Sequence, residues 1–228
     1  MRQSLPTFII SFIILIVGIY MLGYWLLVCK SEDVDATLLY LGLFSVILGL
    51  WTANETDFAK LLLVNQHATT FAAYILLMAM PIPFVLFVRS FLDFDDKNIW
   101  RVFCGFSMVM CVISCVLHFT GIWELRQSLI LTHIVIVGLL IYLMRAIVFK
   151  FVKRQVGRRL RTCIAALILV ILASIADLIN YYKVGGNTGI WGRISFLIFI
   201  VILGVESASK TASMLRRDKW LRGSRSEG

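Results

Sequence analysis

Seven stretches of about 17 to 25 residues, nearly free of charge, follow one another along this chain, each long enough to cross a bilayer as a helix. They run from about Thr7–Cys29, Ala36–Thr52, His67–Phe91, Ile99–Phe119, Leu125–Phe149, Leu160–Tyr182 and Trp191–Thr211. A hydrocarbon layer about 30 Å thick takes about 20 residues at 1.5 Å per residue. Lipid offers no partner for backbone N–H and C=O groups, so only helices or a closed barrel can span it. The runs are continuously apolar rather than alternating, which excludes the barrel. The expected fold is an all-α, seven-transmembrane helix bundle. Composition agrees: 60% of residues are apolar, 15% are charged, and the mean hydropathy is +0.91. A soluble domain has no way to hide that much apolar surface.

Charge gives the direction. Lys30, Arg89, Lys97, Arg101, Arg145, Lys150, Lys153, Arg154, Arg158, Arg159, Arg161, Lys210, Arg216, Arg217, Lys219, Arg222 and Arg225 fall on one side of a seven-span topology. Only Arg2, Lys60, Arg126, Lys183 and Arg193 fall on the other. Basic residues collect on the cytoplasmic side, so the expected orientation is N-terminus out and C-terminus in. The net charge of +9 is thereby explained without nucleic acid, and no soluble region remains to bind it. Two regions are expected: a sensory bundle over residues 1–212 and a basic cytoplasmic tail over 213–228. Asp33 or Asp35 is expected to cap the second span, and Asp57–Val64 to form a small interfacial helix.

Ionisable groups at membrane depth are costly, so each is a functional candidate. Glu55 lies just past the outer end of span 2, Asp177 in the outer third of span 6, and Arg193 at the outer start of span 7. Ser174, Asp177, Asn180 and Tyr181 make one polar stripe at helical spacing, and Trp51 lies one turn from Glu55. Two readings stand together. Trp51, Glu55, Asp177, Asn180, Tyr181 and Arg193 line an outward pocket for a small ligand, or Arg193 forms a structural ion pair with Asp177 or Glu55 beside interfacial aromatic anchors.

Other features are weaker. Pro81 and Pro83 each remove a backbone donor, so span 3 must kink there, as a static bend or as a hinge. Glu206, in the inner third of span 7, is a candidate for signal relay. Val201, Val205, Ala208, Ala212 and Leu215 form a heptad-like stripe, consistent with a signalling helix and a homodimer, while the basic residues after it suit an anchor on anionic lipid. His67, His118 and His133 fall toward the outer face without metal-binding spacing, and the five cysteines lie in or beside apolar runs without convergent ligands. No metal or cofactor is expected. Asn54-Glu55-Thr56 matches a glycosylation sequon but hugs the membrane. No nucleophile–base pair, phosphate loop or acidic ring is visible, so the chain is not expected to be an enzyme or an ion pore.

The segment Leu39–Asp57 (LYLGLFSVILGLWTANETD), the Pro-x-Pro break in Met80–Phe84, the stretch Ala176–Tyr182 (ADLINYY) and the run Arg193–Glu206 resemble bacterial seven-transmembrane receptors with diverse intracellular signalling modules. They look closest to the versions found before diguanylate cyclase domains. The resemblance covers essentially the whole chain. It implies an outside-sensing receptor in the bacterial cytoplasmic membrane with an output such as a diguanylate cyclase or histidine kinase, and it makes Trp51, Glu55, Asp177 and Arg193 the characteristic polar set. The chain departs from that pattern in showing no sensor domain before span 1 and no output domain after it. The expectation is therefore a ligand that meets the bundle itself and a separate or missing output. A small-molecule transporter or permease component is the alternative, and a structural or assembly protein a third.

Overall fold

A computed structural model describes residues 4–29, 36–56, 66–92, 98–123, 125–152, 157–184 and 190–225. These form helices α1 (Ser4–Val28), α2 (Thr37–Asn54), α3 (Gln66–Ala79), α4 (Pro81–Leu92), α5 (Ile99–Phe119), α6 (Leu125–Val152), α7 (Arg158–Val184) and α8 (Ile190–Arg225), with no strand among the described residues. Helices α3 and α4 are two halves of one apolar span, so eight helices make seven spans. Six stretches are long and apolar enough to cross a membrane: Leu5–Val28, Thr37–Asn54, Ala68–Leu92, Ile99–Phe119, Ile130–Val152 and Gly192–Ser209. The seventh span is α7, whose apolar part is the shorter Ile164–Asp177. The molecule is a seven-helix membrane bundle.

The most extensive helix–helix contact among the described residues joins α1 to α2. A Cβ at Gly18 would lie 2.8 Å from the backbone nitrogen of Val46, one at Gly49 would lie 2.8 Å from that of Leu15, and one at Gly42 would meet the Leu22 side chain at 2.9 Å. Each contact fits one antiparallel register. Ser45 sits in the same seam and is fully buried. Lipid tails remove the hydrophobic drive between helices, so association depends on close backbone approach and dispersion, which small residues permit.

An aromatic core joins α2, α4 and α8. Phe44 lies 4.6 Å from Phe84 and 6.0 Å from Phe196, ring centre to ring centre, while Phe199 lies 5.8 Å from Phe84 and 6.1 Å from Phe87. Phe84 and Phe87 reach this core because the helix breaks just before them. Met80 is a turn residue whose N–H still donates to the Leu76 carbonyl at 3.0 Å, and Pro81 then opens α4 at the first helical position, where a missing donor costs nothing. The bend required by the sequence is thus a split between α3 and α4.

Several buried hydroxyls bond back to carbonyls of their own helices, where lipid offers no other partner. Ser11 donates to the Thr7 carbonyl, Ser45 to Leu41, Thr52 to Leu48 and Thr211 to Ser207, at 2.7 to 3.0 Å. Two hydroxyl pairs cross between helices among the described residues: Thr37 at the start of α2 and Ser90 near the end of α4, 2.7 Å apart, and Thr132 on α6, whose hydroxyl donates to Tyr74 Oη on α3 at 3.4 Å. Outside the core, α1, α5 and α6 expose long aliphatic faces, including Ile9, Ile16, Val109, Val116, Ile134 and Ile141. These faces are the lipid-facing perimeter.

Position Ala36 precedes α2 and makes no side-chain capping bond. Neither Asp33 nor Asp35 occupies the cap, and both lie outside the described residues. The proposed interfacial helix over Asp57–Val64 also lies outside them. Helix α8 runs on past residue 212 to Arg225, so the last span continues into the basic tail.

Candidate functional site

The candidate site assembles where α2 ends, α7 approaches its end and α8 begins. Glu55 follows the last residue of α2 and stays on the helix, its N–H donating to the Trp51 carbonyl at 3.2 Å. This places its carboxylate at the mouth of the bundle. Arg193 lies in the first turn of α8, and its Nη2 donates to Glu55 Oε2 at 2.8 Å. The pair is asymmetric: the Arg193 side chain is 11% exposed and that of Glu55 42%. Arg193 is therefore held inside the protein and neutralised from the rim.

Asp177 supplies a second carboxylate. It packs so closely against Gly192 that any side chain at that position would overlap its Oδ2. From there it interacts electrostatically with Arg193. One guanidinium thus bonds one carboxylate, Glu55, and feels the charge of a second, Asp177, from another helix. Such a group has a definite chemistry. An anionic ligand competes for Arg193, and a cationic one competes for Glu55 or Asp177. Either would change what ties α8 to α2 and α7.

Of the expected site residues, Glu55, Asp177 and Arg193 come together. Trp51 stays on the same helix end, but its ring packs, partly buried, against the apolar core. The side chains of Asn180 and Tyr181 lie outside the described residues. Pro81 and Pro83 are buried at the α3–α4 break, away from this mouth. Glu206 is 13 residues along α8 from Arg193, about 20 Å at 1.5 Å per residue, so it does not belong to the same site. His118 stacks on Phe71, with centres 5.7 Å apart, in a separate aromatic group. No three His, Cys, Asp or Glu side chains among the described residues are placed to hold a metal ion.

Two contributors carry no sequence signal. Asn54 Nδ2 donates to the Thr69 carbonyl at 2.6 Å, tying the end of α2 to the first turn of α3. Its sequon context points elsewhere. Gly192 matters only because Asp177 fills the space a Cβ would need, which no spacing rule reveals.

The family model described as 7TM diverse intracellular signalling matches residues 6–207 of the chain. That range reaches all seven spans, stopping two residues short of the end of the last, and includes every residue of the candidate site. No curated protein and no solved structure matches the chain.

Proposed function

Because this chain belongs to the 7TM diverse intracellular signalling family, we propose that it is a membrane sensory domain in which the Glu55–Arg193–Asp177 group is the input. A small ligand reaching the outer mouth competes for one member of the group. The Glu55–Arg193 bond loosens, and α8 shifts against α2 and α7. The shift continues along α8 through Phe196 and Phe199, which pack on Phe44, Phe84 and Phe87. Pro81 and Pro83, at the start of α4, serve as the hinge that lets these rings move together. Glu206 lies further along the same helix, on the way to the cytoplasmic side. The output is a signalling activity such as a diguanylate cyclase or a histidine kinase. A homodimer along α8 would carry the change to a paired output. The orientation is N-terminus out and C-terminus in, supported by the uneven placement of Lys and Arg.

One observation carries this reading: a mostly buried cation in the first turn of the helix that leaves the bundle bonds a carboxylate at the end of α2, with the Asp177 carboxylate of α7 packed beside it at Gly192. A ligand shifts an equilibrium only through unequal affinity for two states, and an ion pair that is made in one state and open in the other supplies that inequality. The test is a fusion of the chain to a diguanylate cyclase reporter. Glu55→Gln, Asp177→Ala and Arg193→Gln are each expected to move basal cyclic-dinucleotide output about threefold or more, corresponding to about 0.7 kcal/mol in the equilibrium. Unchanged output from all three, with normal membrane insertion, would remove this site from the account.

A further inference from the structure

At the opposite end of the bundle, the structure carries a cationic group that the sensory reading does not use. Trp100, in the first turn of α5, packs against the core with its ring partly exposed. The Arg89 guanidinium, one turn before the end of α4, lies 4.3 Å from the centre of that ring. The Arg101 guanidinium lies 5.3 Å from the same centre. The two cations are thus within about 10 Å of one another, inside one Debye length at moderate salt. Neither has an ion-pair partner among the described residues. Ser90, beside Arg89, is fixed to Thr37 on α2, so the α4 end of the group is held in place.

We propose that Arg89, Trp100 and Arg101 form a binding site for the phosphate headgroup of an anionic phospholipid in the adjoining leaflet. Three features select this occupant. The guanidiniums offer forked donors suited to phosphate oxygens. The indole is an aromatic side chain at the level where apolar spans end, the depth at which Trp and headgroups meet. The surface below Arg101 is a track for an acyl chain: Met108 and Val112, seven and eleven residues on, are exposed on the face of α5 that carries Arg101. A free phosphate would use the first feature only. A phospholipid uses all three.

The test uses the full chain in detergent, with bound lipid counted by native mass spectrometry while phosphatidylglycerol or phosphatidylcholine is added. The wild type is expected to retain phosphatidylglycerol about fivefold or more in preference to phosphatidylcholine. R89Q/R101Q should lower that preference at least threefold. R89K/R101K keeps the charge but loses the fork, and should fall in between. R145Q/R161Q removes the same charge from exposed positions on α6 and α7 and should leave the preference intact. Circular dichroism of each variant establishes that the helices are formed, so a folding defect is not read as lost binding. Three results would overturn the site. One is an equal loss in R145Q/R161Q, which reduces the effect to bulk charge. Another is displacement of the lipid by inorganic phosphate at comparable concentration, which makes the ligand a free anion. The third is no preference in the wild type, as would follow if Asp93, Asp95 and Asp96 of the connecting segment, outside the described residues, neutralise the arginines.

Discussion

Removing Arg193 should damage this protein more than removing its closest partner, and the size of the difference follows from the geometry. At 2.8 Å the gross attraction between Arg193 and Glu55 is about 6 kcal/mol at an effective dielectric of about 20 and about 1.5 kcal/mol in bulk water. Glu55 is 42% exposed, so water screens the pair, and desolvation of the mostly buried guanidinium takes back part of the rest. A coupling energy of about 1 to 2 kcal/mol remains. Glu55→Gln leaves Arg193 with Asp177 and should cost about 1 kcal/mol. Arg193→Gln takes the cation from Glu55 and also from the part-buried Asp177, and should cost about 2 to 3 kcal/mol. For a domain of this size 1 kcal/mol corresponds to about 2 to 4 °C. Thermal unfolding in detergent, followed by the helical circular dichroism signal of both single variants and the double variant, gives the cycle. An Arg193→Gln variant no less stable than Glu55→Gln, or a coupling within about 0.3 kcal/mol of zero, would refute the view of Arg193 as a shared counter-ion.

Three further outcomes follow from other parts of the fold. Gly49→Leu should abolish accumulation of folded protein, since even a Cβ there would reach the Leu15 backbone nitrogen at 2.8 Å, whereas Gly105→Ala, with nothing within 4 Å, should be neutral or stabilising by a few tenths of a kcal/mol; expression level and thermal stability distinguish them. Pro81→Ala with Pro83→Ala restores two backbone donors and should narrow the distance distribution between spin labels on α3 and α4 while reducing signal-dependent output of a reporter fusion; an unchanged distribution would mean that packing, not proline, sets the break. Thr120→Cys should react with an impermeant maleimide on intact cells and Gly157→Cys only after permeabilisation, and the reverse pattern would invert the orientation.

The fold was legible because the bilayer leaves the chain few options. The residues expected in span 4 are those of α5, and the Pro-x-Pro element divides its span as backbone chemistry requires. The site was legible in part. Buried charge is rare enough that Glu55, Asp177 and Arg193 stood out one by one, and their common depth followed from helix length. Their pairing did not follow, because it depends on which helices adjoin, and apolar helices give no direct sign of their neighbours. The same gap hid the α1–α2 seam: Gly18, Gly42 and Gly49 have meaning only once the register between the two helices is known. Asp33 or Asp35 was expected to cap α2 from residue preference alone, and the backbone places Ala36 there instead.

Helix α8 holds 36 residues, or about 54 Å of uninterrupted helix, against a hydrocarbon layer of about 30 Å. A rod of that kind conveys angle as well as displacement. Each residue turns the helix by about 100°, so adding one residue beyond the bilayer would swing everything downstream by more than a quarter of a circle, while adding seven would nearly return it to its starting bearing. Reporter fusions with graded insertions after Arg225 should therefore give outputs that rise and fall with a period of three to four residues rather than declining steadily with length.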